Sequence, residues 1–186
     1  MTAVFPIHPY DHWQLIRIRR YLIGFRRTNG WNQKQMSQRF NGTEGSGWDL
    51  EYNKTFQWRF SRLQDWVAGF DLRLDAQLRF PEDFGLEQRV QEHPEVAPFL
   101  GLAATADNWQ SWQRMALSSA LTVARKDQGI STEELAQTLG VSRNAIKHWE
   151  ALASDFMLPK ALHHARALGG FISLGLVEKG PDEDGQ

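Results

Sequence analysis

The sequence predicts a mostly α protein: two tandem domains of four to five helices, each followed by a candidate short β-strand. Three observations predict it. Apolar residues recur at i, i+4 and i+7 between glycines and N-cap residues, the mark of short amphipathic helices. The chain repeats itself when slid by 99 positions over residues 13–51. Two stretches, near 72–79 and 171–176, switch to period-two alternation, which suits a strand with one buried face.

Composition narrows the classes. At 41% hydrophobic and 12% aromatic, the 186 residues can bury a core, so wholesale disorder is excluded. No apolar run approaches the roughly 20 residues that cross a bilayer, so no membrane partner is expected. The start, Met1-Thr2-Ala3-Val4-Phe5-Pro6, lacks the basic and apolar regions of a signal peptide. Cysteine is absent, which excludes disulfides and thiolate metal sites and fits a cytoplasmic protein.

The net charge of −1 hides an uneven spread. Residues 1–80 carry +5, 81–110 carry −5, 111–177 carry +2 and 178–186 carry −3. Two basic blocks separated by an acidic one fit either solvated domains with a linker, or two phosphate-facing blocks whose acidic neighbours avoid phosphate. The divisions read as a domain at 1–80, an acidic linker at 81–110, a domain at 111–178 and a disordered acidic tail at 179–186. Pro81, Gly85, Pro94 and Pro98 punctuate the linker.

In the repeat, Trp13-Gln14 falls on Trp112-Gln113, Leu22 on Leu121, Arg26 on Arg125, Gly30 on Gly129, Gln38 on Gln137 and Glu51 on Glu150. The matches fall on apolar and turn positions of one common pattern.

The first copy opens with a helix over 12–28. Leu15, Ile18, Leu22 and Phe25 form its apolar face; Arg17, Arg19, Arg20, Arg26 and Arg27 make its surface basic. Asn32 caps a second helix holding Gln33, Met36 and Phe40. A third helix should begin near Thr43, but the sequence there is NGTEGSGWDLE. Each of its three glycines would cost roughly 1 kcal/mol inside a helix. Two readings follow: a shortened helix starting near Gly47, or a copy that has lost the task of its third helix and now packs or dimerises. The run is not a dinucleotide fingerprint, since no strand precedes it. Residues 63–70 match a later helix at an offset of 98, and Leu72, Leu74, Ala76 and Leu78 then alternate with Arg73, Asp75, Gln77 and Arg79.

The second copy is helical over 114–128, with Leu117, Leu121 and Ala124 on one face and Gly129 stopping it. Ser131 with Glu134 forms a capping box for a helix from Thr132 to about Leu139. Gly140 turns the chain, Val141 is buried, and Ser142 caps a third helix that carries Ile146 and Trp149 inward. A fourth helix runs from about Pro159 to Leu168. In the strand that follows, Ile172, Leu174 and Leu176 alternate with Phe171, Ser173 and Gly175. This strand pairs either with 72–79, clamping the domains, or between chains.

Residues 129–150, GISTEELAQTLGVSRNAIKHWE, closely resemble the lambda-repressor-like helix-turn-helix family, the Cro/CI or Xre type. ARALG at 165–169 resembles the end of that family's fourth helix, so the resemblance covers 114–170. It implies a recognition helix at about 142–152. With Ile146 and Trp149 inward, Arg143, Asn144, Lys147 and His148 face out. Arg suits guanine O6/N7 and Asn suits adenine N6/N7. The resemblance puts Arg143, Asn144 and His148 at base-reading positions and Thr132 and Ser142 at phosphate positions. Gln33, aligned with Thr132, takes a phosphate position in the first copy, with Lys34, Arg17 and Arg20 as further phosphate candidates. It further implies the ion pairs Arg26–Glu51 and Arg125–Glu150, each tying a first helix to a third.

Trp13, Trp66, Trp112 and Trp149 fall on apolar faces and are expected in the core. Trp31, Trp48 and Trp58 lie in or near the irregular segment, where one is a candidate for exposure against DNA or a partner. His163 and His164 are adjacent, so they diverge on a helix and no metal is expected. Nor is a cofactor: there is no nucleophile elbow, HExxH, phosphate loop or paired carboxylates, so the chain is not read as an enzyme.

The function implied is a sequence-specific double-stranded DNA-binding transcription regulator of bacterial or phage type, acting as a repressor. Two tandem modules would read adjacent sites without two-fold symmetry, the linker setting the effective concentration. The alternatives are a one-headed DNA binder that forms a homodimer through its N-terminal copy, and an antitoxin or adaptor whose helices bind a protein.

Overall fold

A computed structural model of the chain describes residues 7–40, 46–53, 55–81, 92, 108–151 and 155–178. The described residues are mostly helical, with one two-stranded sheet. The N-terminal half runs α1 (Pro9–Thr28), α2 (Gln33–Arg39), α3 (Ser46–Tyr52), α4 (Phe60–Ala68) and β1 (Leu72–Arg79). The C-terminal half runs α5 (Trp109–Asp127), α6 (Thr132–Leu139), α7 (Arg143–Trp149), α8 (Leu158–Ala167) and β2 (Phe171–Glu178). The order of elements therefore repeats, as the 99-residue offset requires.

Local chemistry sets the helix starts. Asn32 with Gln35 and Ser131 with Glu134 both form complete capping boxes, satisfying two backbone N–H groups in each case. The α1 helix starts earlier than its periodicity suggests, because Pro9 is preset for a first turn and the His8 ring accepts from the Tyr10 N–H. The α3 helix starts at Ser46, one residue before the position read for a shortened helix.

Three expectations need correction. The α5 helix begins at Trp109, inside the segment read as linker. Tertiary contact extends it, since the Trp109 indole Nε1 donates to the Leu74 carbonyl at 3.1 Å. The rest of that linker, with Gly85, Pro94 and Pro98, and the tail from 179 lie outside the described residues. Trp13 is not in the core: it is 51% exposed, with the Arg17 guanidinium 5.1 Å from its ring. The buried stripe of α1 instead follows Asp11, Gln14, Leu15, Ile18 and Leu22. Trp112 is half-buried, while Trp66 and Trp149 are buried as expected. Trp58 is buried against Trp66 with ring centroids 4.9 Å apart, and Trp31 is half-buried against Phe25 and Phe70.

The two strands pair with each other in antiparallel register, not between chains. Ala76 lies opposite Leu174, and the ladder runs from Leu72 opposite Glu178 to Arg79 opposite Phe171. Ahead of α4 and α8, Arg59 forms an isolated antiparallel bridge with Met157. Its bonds are reciprocal: the Phe60 N–H donates to the Phe156 carbonyl and the Leu158 N–H to the Trp58 carbonyl. In both pairings the central residues are each other's repeat equivalents, 98 apart. Antiparallel pairing of equivalent segments about equivalent residues is the signature of a local two-fold axis.

Side chains extend this exchange. Gln14 on α1 accepts from the Leu174 N–H at 2.9 Å and donates to the Ile172 carbonyl at 3.0 Å. Its repeat equivalent Gln113 on α5 accepts from the Ala76 N–H at 3.1 Å and donates to Asp75 at 3.2 Å. Each glutamine covers the outer edge of the other half's strand, an edge that would otherwise stand open to another chain. Asp11, buried on α1, takes a bidentate pair from Arg166 on α8 at 2.6 and 3.1 Å. Asp155 accepts from the Ser61 N–H and hydroxyl at 3.1 and 2.8 Å, capping α4 from the opposite half. The buried apolar residues of the two halves form one continuous core.

Candidate functional site

The α6 and α7 helices meet through a tight turn. Gly140 ends α6 with φ +64°, a left-handed conformation that costs an L-residue about 1–2 kcal/mol. The Val141 N–H then donates back to the Ala136 carbonyl at 2.9 Å. Ser142 starts α7, its hydroxyl accepting from the Ala145 N–H at 3.2 Å. Ile146 and Trp149 on α7 pack into the core beside Leu135 and Leu139 of α6.

That burial fixes which side of α7 is free. Ser142, Arg143, Asn144, Lys147 and His148 are all exposed, while Ile146 and Trp149 are buried. The Arg143 Nε donates to the Thr132 hydroxyl at 3.3 Å, bringing the start of α7 to the start of α6. Two cations, an amide, an imidazole and two hydroxyls thus line one edge. Glu133 is exposed beside Thr132. Glu134 is occupied by capping, and its bonds from Ser131 hold its carboxyl below the usual range.

Behind this edge lies a buried ion pair. Arg125 on α5 meets Glu150 bidentately at 2.7 and 2.8 Å, and its third contact is to the Ile130 carbonyl at 2.7 Å. The first copy repeats the arrangement: Arg26 Nε lies 2.5 Å from Glu51 and Arg26 Nη1 donates to the Trp31 carbonyl at 2.6 Å. Each pair ties the first helix of its half to the end of the third. His164 on α8 is buried, its Nε2 3.8 Å from Glu150. Burial, with the Arg125 charge adding to it, pushes the His164 imidazole down to about 3, so it is neutral.

The corresponding edge of the N-terminal half has different chemistry. Gly47 stands where the repeat places Ile146, and a Cβ there would lie 2.7 Å from the Met36 methyl and 3.0 Å from the Gln33 carbonyl. A glycine is what lets α3 close onto α2. The α3 helix exposes Trp48 (57%) and Tyr52 (53%), stacked with centroids 5.3 Å apart, at positions the repeat gives to Lys147 and Ala151. Gln33 is turned toward Glu51, donating at 3.4 Å, while Lys34 is exposed. Glu44 and Gly45, aligned with Arg143 and Asn144, lie outside the described residues.

Arg17 and Arg20 are exposed on α1. Arg17 lines a cavity of about 260 Å³ at the sheet with Leu72, Leu174 and Glu178. Besides Arg26, Arg19 reaches the α3 side, donating to the Asn53 carbonyl at 3.1 Å. Sequence reasoning missed Gln14, Asp11 and Asp155 as ties between the halves. For Gln14 a signal existed, its identity with Gln113 in the repeat.

Among the described residues no group of three or more His, Asp or Glu could hold a metal, and no helix is long and apolar enough to cross a membrane. Comparison with known proteins finds no matching family model, no similar curated protein and no similar solved structure.

Proposed function

We propose that the chain is a sequence-specific double-stranded DNA-binding transcription regulator, acting as a repressor, with α6 and α7 as its helix-turn-helix and α7 as the recognition helix. One observation carries this reading: α7 buries Ile146 and Trp149 and thereby turns Arg143, Asn144, Lys147 and His148 to one exposed face. A short, rigidly seated helix with those side chains matches the donor and acceptor code of the major groove. Arg143 and Asn144 are the base readers, with Lys147 and His148 beside them. Thr132 and Ser142 hold phosphate, which carries register and affinity but no sequence. The resemblance of residues 114–170 to the lambda-repressor-like family supports the same assignment.

A second reading, a protein-binding adaptor, draws on the exposed Trp48–Tyr52 stack of α3. Aromatic anchors of this kind are enriched in protein interfaces. Selection from a random duplex pool separates the two. The DNA reading predicts one enriched motif with full-length protein and its loss with Arg143→Ala/Asn144→Ala. A pool without enrichment contradicts it and favours the adaptor.

A further inference from the structure

The local two-fold between the halves determines how a second DNA contact is presented. The Ala76–Leu174 pair and the Arg59–Met157 bridge each relate residues of one half to their repeat equivalents by a local two-fold. A two-fold shared by both pairings exchanges α3 with α7 and sets the two helices at the same level along the axis. The ladder, the reciprocal glutamines Gln14 and Gln113, and the Asp11–Arg166 pair hold the halves in this relation.

Duplex DNA has local two-folds of its own, perpendicular to its axis, and a two-fold body docks with the axes coincident. Helices presented in this way to successive major grooves meet opposite strands, the grooves lying about 34 Å apart. Resting on the DNA reading of α7, we infer that one chain spans two half-sites in inverted orientation and that the α7 half alone is strongly specified. The chemistry of α3 sets the second part. Trp48 and Asp49 stand where α7 has Lys147 and His148, so this half has neither the cation nor the imidazole. The stacked Trp48 and Tyr52 offer apolar contact of the kind thymine methyls accept, and no bidentate donor for guanine. The result is a chain with the geometry of a dimer and the information of one head.

The repeat supplies matched probes. Gln38 and Gln137 are equivalent, both exposed, and the chain has no cysteine. Full-length Gln38→Cys and Gln137→Cys, each carrying an iron chelate, are bound to the duplex selected by the unmodified chain. Cleavage by the two derivatives on opposite strands, mirrored across a dyad, with one chain per duplex by mass, is the expected result. Cuts translated along the same strand, cutting by Gln137→Cys alone, or two chains per duplex would overturn the inference while leaving the reading by α7 intact. The hydroxyl-radical footprint of the unmodified chain makes the same decision without substitution: two mirrored patches support it, one patch or a translated pair overturns it. A selection that returns no motif removes the DNA reading itself, and the inference with it.

Discussion

At the scale of residues, the surface and the interior make separable demands. Arg143 and Asn144 are exposed, so replacing both by alanine should leave the melting temperature within a few degrees of the parent. Discrimination among sequences should fall by about 1–3 kcal/mol for each bidentate pair lost, read as binding to selected and scrambled duplexes. Glu150 behaves in the opposite way. Its side chain is 8% exposed against Arg125 at 10%, and Glu150→Ala would leave a buried guanidinium uncompensated. Chemical denaturation should show a loss of about 3–5 kcal/mol. His164 adds a pH dependence. The unfolded chain takes up a proton at this residue below about 6.5, the folded chain only near 3. Its contribution is therefore complete above pH 6.5 and declines as the pH falls toward 3. A His164→Phe variant should lose less stability than the parent between pH 6.5 and 4, and an identical decline in both would refute this. The Arg125–Glu150 contact was legible through a family resemblance. The burial of His164 was not, because two adjacent histidines look alike in sequence and only the packing of α8 decides which one turns inward.

At the scale of elements, what the sequence reveals is which face is buried, and what it conceals is the partner. Alternation at Leu72, Leu74, Ala76 and Leu78 identified a strand with one apolar face, and all four are buried. Alternation carries no statement about the strand opposite, so pairing within the chain and between chains stayed equally open. Gln14 and Gln113 resolve that choice physically, each mimicking a neighbouring peptide on the other half's strand edge. Gln14→Ala should strand the Leu174 N–H and cost about 1–3 kcal/mol, with faster amide exchange at Leu174 as its local signature. The glycine run before α3 shows the reverse case. Propensity counted it as a defect, whereas Gly47 is a close-approach position against Met36 and Gln33. Gly47→Ala must displace the Met36 methyl or shift α3, so it should destabilise the chain, although alanine is the better helix former.

At the scale of the whole molecule, the repeat was legible and the fusion was not. Offset identities such as Arg26/Arg125 and Glu51/Glu150 disclosed two copies, and the change of offset from 99 to 98 before α4 and α8 was visible as well. That the copies share one core depends on contacts distant in sequence, among them Asp11–Arg166 and Asp155–Ser61, which no local pattern signals. The expected consequence is a single cooperative unfolding transition, with calorimetric and van't Hoff enthalpies in agreement; two resolved transitions would show independent domains. On the proposed DNA reading, a shared core predicts that the halves meet one composite site together and do not bind in sequence through a flexible tether.

If α7 reads base sequence, affinity depends on sequence through Arg143 and Asn144. The most direct test is the ratio of affinities for the selected duplex and a scrambled one, at fixed physiological salt, for the parent and for Arg143→Ala/Asn144→Ala. The expected ratio is about 10³ or more for the parent, in the range of specific binders, collapsing in the double variant while scrambled-duplex affinity changes little. A parent ratio near one would contradict it.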